Sequence, residues 1–135
     1  MNLRPHQQRA FDRMQQYDIG KIIVPTGGGK TYIMIADLIE QMQQRYDTTT
    51  VVVAPRILLA NQLCAEFTEF VTDANIMHVH SGETHYTSST KSEDVKLFVS
   101  THTKHKIIFT TYHSLHRVVD SGILIDTIYY DEAHN

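Results

Sequence analysis

Residues 21–31 read Lys21-Ile22-Ile23-Val24-Pro25-Thr26-Gly27-Gly28-Gly29-Lys30-Thr31. The β-branched run at 21–24 predicts a short strand. A glycine-rich turn follows. In residues 31–45, Ile35, Leu38, Ile39 and Met42 fall on one face of a predicted helix. Strand, glycine turn and helix in this order make a phosphate cradle. A triphosphate needs several N–H donors converging at short range. Gly27, Gly28 and Gly29, with Thr26, permit the backbone curl and keep Cβ atoms out of the way. The helix adds the partial positive charge of its N-terminus. Lys30 is spaced to reach the β- and γ-phosphates, and the Thr31 hydroxyl to ligate Mg²⁺. The common pattern has a glycine where this chain has Val24. Val24 ends the strand and the three glycines stay inside the turn, so the mechanism is retained. A ligand-free strand-to-helix turn is the competing reading. It does not explain why Lys-Thr and a helix follow in order.

Outward from this stretch, short apolar runs alternate with amphipathic ones. Strands are predicted at 51–54, 76–80, 106–109 and 125–130, and helices at 57–71 and 113–119. Residues 4–16 predict a helix with Pro5 in its first turn. The polar segment 81–91 reads as a mobile loop, and Ser92 as the cap of a short helix carrying Val95, Phe98 and Val99. Apolar strands alternating with helices predict an α/β fold, a parallel sheet covered on both faces.

A phosphate cradle needs a carboxylate for the metal and a group to position water. Asp131 and Glu132 stand at the end of the last predicted strand. Ligands of open parallel sheets gather at the carboxyl ends of strands, so the two motifs can converge. Asp131 would hold Mg²⁺ and Glu132 would orient and deprotonate the attacking water. An acidic pair that merely caps a strand is the alternative, weakened by the glycine loop.

Composition bounds the rest. The chain has 135 residues, 41% hydrophobic and 20% charged, with a formal net charge of −3. That is room for one core, and it argues against a polybasic module held by charge alone. Nine histidines would turn the chain basic in mild acid. A single cysteine, Cys64, excludes a disulfide framework and a four-cysteine zinc site, and reads as a packed residue. No run approaches the ~20 apolar residues of a membrane span, and the N-terminus lacks a signal-peptide core. A soluble chain in a reducing compartment, cytoplasmic or nucleoid-associated, is expected.

The segment at 25–31 together with Asp131-Glu132-Ala133-His134 resembles motifs I and II of the superfamily 2 helicases and translocases. Leu3-Arg4-Pro5-His6-Gln7 is similar to their N-terminal segment, which implies that Gln7 reads adenine. Ala54-Pro55-Arg56, with Leu59 and Gln62, resembles motif Ia, and Thr110-Thr111-Tyr112, with Ser114 and Leu115, resembles motif Ic. The resemblance implies a RecA-like P-loop domain over 1–135 that uses ATP and Mg²⁺. It implies nucleic-acid backbone contacts from Pro55, Arg56 and Thr111, also matched at Ser81-Gly82, and a coupling role for His134. Arg56 as a plain surface arginine stays open. Backbone contacts suit a motor that must step along any sequence. Arg56 and Ile57 depart from the DEAD-box form of motif Ia, and His134 from the final aspartate of DEAD. The chain is therefore more similar to the branch of type I and type III restriction-enzyme motors and phage repair helicases, with DNA rather than RNA as partner.

Motif III and a second RecA-like domain are expected beyond Asn135. On this reading the domain is truncated and its sheet incomplete, with an exposed edge and marginal stability. Alone it would bind ATP-Mg²⁺ weakly and hydrolyse it slowly. A stand-alone nucleotide-binding module and a restriction-enzyme motor subunit remain alternatives. His102-x-x-His105 and His113-x-x-His116 have metal-compatible helical spacing but lack a cysteine or carboxylate cluster, which favours surface histidines. His78 and His80 would share a strand face as structural or exposed residues. Tyr129 and Tyr130 would pack the last strand.

Overall fold

Residues 21–23, 30–81 and 87–131 are described by the computed structural model. The strands are β1 (Lys21–Ile23), β2 (Thr48–Ala54), β3 (Ala74–Val79), β4 (Thr87–Ser89), β5 (His105–Thr111) and β6 (Thr127–Tyr130). The helices are α1 (Lys30–Gln44), α2 (Ile57–Phe70), α3 (Ser92–Thr101) and α4 (Leu115–Asp120). The predicted helix at 4–16 lies outside the described residues. All pairings are parallel, in the order β1-β6-β2-β5-β3-β4.

This order decides which helix covers which face. From β1 through β2 to β3 the chain steps one way across the sheet; from β4 through β5 to β6 it steps back. Right-handed crossovers then put α1 and α2 on one face and α3 and α4 on the other. The side chains agree. Val52, Ala54, Ile107, Phe109 and Tyr129 pack with Met34 and Leu38 of α1 and Leu63 and Phe67 of α2. Val51, Val53, Ile108, Ile128 and Tyr130 pack with Val95 and Phe98 of α3 and Leu115 and Val118 of α4. Phe67 meets Phe109 edge to face, with centroids 5.6 Å apart.

Several elements differ from the sequence expectation. β2 begins at Thr48 rather than 51, and all seven of its residues are buried. Its three leading threonines are β-branched and suit a strand as well as valine does, but they do not read as an apolar run. The segment expected to be a loop, 81–91, contains β4, paired with β3 through Met77↔Thr87 and Val79↔Ser89. Ser92 is not the cap of α3. Lys91 is, and the Ser92 hydroxyl instead donates to the Arg117 carbonyl at 2.7 Å, tying α3 to α4. Glu93 and Asp94 complement the positive end of α3.

At the amino-terminal edge of the sheet, Asp126 closes the approach to β6. Its carboxylate accepts the Thr49 N–H at 2.7 Å, its own N–H donates to the Thr49 carbonyl at 2.9 Å, and Arg45 lies 3.1 Å away. Replacing Asp126 with alanine removes a hydrogen bond to a charged acceptor and is expected to cost about 1.5–3 kcal/mol. Urea unfolding checks this through a lower midpoint at unchanged slope. No helix among the described residues is long and apolar enough to cross a membrane.

Candidate nucleotide site at the carboxyl edge of the sheet

The register of β1 and β6 controls this edge. Lys21 pairs with Thr127, Ile22 with Ile128 and Ile23 with Tyr129. The two strands therefore finish side by side, β1 at Ile23 and β6 at Tyr130, just before Asp131. Lys30 and Thr31 open α1, whose first turn carries no acidic residue, so its positive end is not offset from within. Thr31 and Asp131 are both half-buried. Gln7, Thr26, Gly27, Gly28, Gly29, Glu132 and His134 lie outside the described residues, and of Lys30 only the backbone is described.

Asp131 is held by its backbone. Its N–H donates to the Val53 carbonyl at 2.8 Å, and its carbonyl accepts the Tyr112 hydroxyl at 3.2 Å. The Tyr112 ring stacks on Tyr130, with centroids 5.8 Å apart and planes 17° apart. Tyr112 follows the threonine pair that resembles motif Ic, so this segment supports the acidic strand as well as lining the edge. Sequence reading missed that role. The signal was an aromatic just past a strand, which has no meaning until its partner is known.

The expected nucleic-acid residues stand at the same edge. Ala54 of β2 pairs with Thr111 of β5, so both strands end level with Asp131. Pro55 is half-buried and Arg56 exposed at the cap of α2, with an extended backbone (φ −145°, ψ 158°). Thr111 is buried, and its hydroxyl accepts the Ser114 N–H at 3.2 Å. Of the three, Arg56 alone is exposed.

The histidine pairs do not share helices. His102 is the cap residue after α3, 2.8 Å from the Phe98 carbonyl, and His105 opens β5 against the Thr48 hydroxyl at 2.8 Å. His113 lies in a turn and His116 in α4. Among the described residues no three His, Cys, Asp or Glu side chains gather to hold a metal. Zinc and calcium prefer such multi-ligand sets. Mg²⁺ keeps several waters and takes one or two carboxylates plus phosphate oxygens. The hard oxygens of Thr31 and Asp131 fit that chemistry. Burial pushes the Cys64 thiol up to about 11, which leaves it unreactive.

Over residues 1–135 the chain matches the family described as the type III restriction enzyme, res subunit. No curated protein matches it. Among solved structures, a nuclease-deletion mutant of the Type ISP restriction-modification enzyme LlaGI, in complex with a DNA substrate mimic, is similar at a TM-score of 0.71 and 21% identity. The likeness covers 97% of this chain and 12% of that one. The ATP-dependent Type ISP restriction-modification enzyme LlaBIII, bound to DNA, is similar at a TM-score of 0.54 and 13% identity, over 98% and 12% of the two chains. The chain thus spans about an eighth of the length of these two enzymes. At such identities the likeness speaks for the fold, which is RecA-like.

Proposed function

The chain belongs to the family of the res subunit of type III restriction enzymes, a superfamily 2 RecA-like motor family, and on that premise we propose that it is the ATP-binding half of a nucleic-acid translocase acting on DNA. Gly27, Gly28 and Gly29, with Thr26, cradle the phosphates by their backbone N–H groups. Lys30 neutralises the β- and γ-phosphates. Gln7 reads adenine. Thr31 and Asp131 would hold Mg²⁺, which when bound would offset the charge of the phosphates. Glu132 takes the proton of the attacking water. Pro55, Arg56 and Thr111 meet the backbone of one strand, and His134 couples the two events. A second RecA-like domain completes the cleft and supplies an arginine, worth ~10³–10⁵ in rate in related nucleotidases.

One observation carries this reading: the in-register pairing of β1 with β6, which ends both motif-bearing strands at one edge. The test is a titration of the chain with ATP in Mg²⁺, followed by ATPase assays with duplex DNA, single-stranded DNA and RNA. Weak binding is expected, with turnover of the isolated chain below ~1 s⁻¹, the low end for enzymes. Absence of any ATP binding overturns the assignment. Stimulation by RNA but not by DNA overturns the choice of DNA.

A further inference from the structure

Below the candidate site, four side chains join α1 to β6. Asp37 and Gln41 are one turn apart on α1, and Thr127 and Tyr129 point to the same side of β6. The helix rise separates the first pair by about 6 Å along its axis. The strand rise separates the second by about 6.6 Å. The spacings match, and the crossover reverses the chain direction, so Asp37 meets Tyr129 while Gln41 meets Thr127. The Tyr129 hydroxyl donates to Asp37 Oδ2 at 2.5 Å, and the Thr127 hydroxyl to Gln41 Oε1 at 2.6 Å. Gln41 Nε2 donates to Asp37 Oδ2 at 2.8 Å and lies 3.4 Å from the Tyr129 oxygen. Thr127 and Tyr129 are fully buried; Asp37 and Gln41 are half-buried.

A slide of α1 by one turn would break both helix–strand contacts at once. Apolar packing alone does not set register so sharply, since it is non-directional. The bridge also lies close to both halves of the site. Asp37 follows Thr31 by six residues, about 9 Å of helix rise. Asp131 follows Tyr129 by two, about 6.6 Å of strand. We infer that Asp37, Gln41, Thr127 and Tyr129 are positioning residues that hold the phosphate-loop helix and the acidic strand in the register at which Thr31 and Asp131 share one Mg²⁺-nucleotide. The inference rests on the ATP-Mg²⁺ reading of the site.

The experiment is a titration of the full 135-residue chain and its variants with a fluorescent ATP analogue, in Mg²⁺ and in EDTA. Nucleotide without metal engages the phosphate-loop side alone, whereas Mg²⁺-nucleotide needs both sides in register. Tyr129→Phe keeps the ring and removes the donor. It is expected to leave the EDTA affinity near that of the wild type and to lower the Mg²⁺ affinity by about tenfold, the size of one charge-assisted hydrogen bond. Thr127→Val should show the same split, and Thr127→Ser, which keeps the hydroxyl, should restore the metal-dependent gain. Thr127→Val carries the test should Tyr129→Phe not fold. An unchanged Mg²⁺ gain in both variants overturns the inference, as does an equal loss with and without metal, which marks general loosening. A wild-type chain that binds no nucleotide overturns the ATP reading itself and the inference with it.

Discussion

Exchanging Glu132 for glutamine should lower ATP turnover by about 10²–10⁴-fold, the range supplied by a positioned general base. The amide keeps the size and hydrogen-bonding reach of the carboxylate but does not accept a proton from water. Nucleotide affinity should hardly move, because on the proposed reading the lost interaction belongs to the transition state. Lys30→Ala should give the complementary pattern. On the proposed reading it removes charge-assisted bonds to the phosphates, each worth about 1.5–3 kcal/mol, so affinity should fall by about 10–100-fold or more. Single-turnover hydrolysis of radiolabelled ATP over hours resolves these rates even for a slow chain. Wild-type turnover in Glu132→Gln would remove Glu132 from the mechanism. A loss of affinity in Glu132→Gln as large as that in Lys30→Ala would mean that the carboxylate serves binding.

Acidification should destabilise the fold through His78 and His80 before most carboxylates titrate. Both rings are buried at the end of β3, with His78 Nδ1 and His80 Nε2 3.0 Å apart. His78 also stacks on Phe109, with centroids 5.4 Å apart. Desolvation by burial, then the neighbouring His80, lower the His78 pKa to about 4. Burial lowers His80 as well. In the unfolded chain both titrate near ~6.5. Between that value and about 4 the unfolded state binds more protons, so stability falls as pH falls and is fully present above ~6.5. For His78 the loss amounts to up to about 3 kcal/mol, a large part of the ~5–15 kcal/mol that holds a small domain together. Urea melts at pH 7.5, 6 and 5 measure the slope. His78→Phe, which keeps a ring against Phe109, should flatten it whatever its effect at neutral pH. An unchanged slope would reject His78 as its source.

The expectation for these two histidines shows where local reading runs out. Their alternation placed them on one face of a strand; His78 stands in β3 and His80 just past its end, with their rings in contact. Whether that face is wet depends on Phe109, a neighbour in space from another strand. The threonines of β2 make the same point from the other side: polar by composition, they are buried in a strand paired with β5 along its length and with β6 from Thr50 onward. Thr111 read as a nucleic-acid contact by resemblance alone; that its hydroxyl accepts the Ser114 N–H depends on the turn after β5.

What the sequence by itself determined is local. β-branched runs prefer the pleated conformation, a three-four spacing makes a helical face, and three glycines before Lys-Thr permit one kind of turn. From those, the alternating α/β plan and the phosphate motif were legible, and so was an acidic pair at the end of a strand. Only the tertiary structure decided that β6 inserts between β1 and β2, that Tyr112 supports Asp131, and that Asp37 and Gln41 meet Tyr129 and Thr127. These are pairings between segments distant along the chain. Their energy comes from buried area and hydrogen-bond register, quantities that exist only once the partners are side by side.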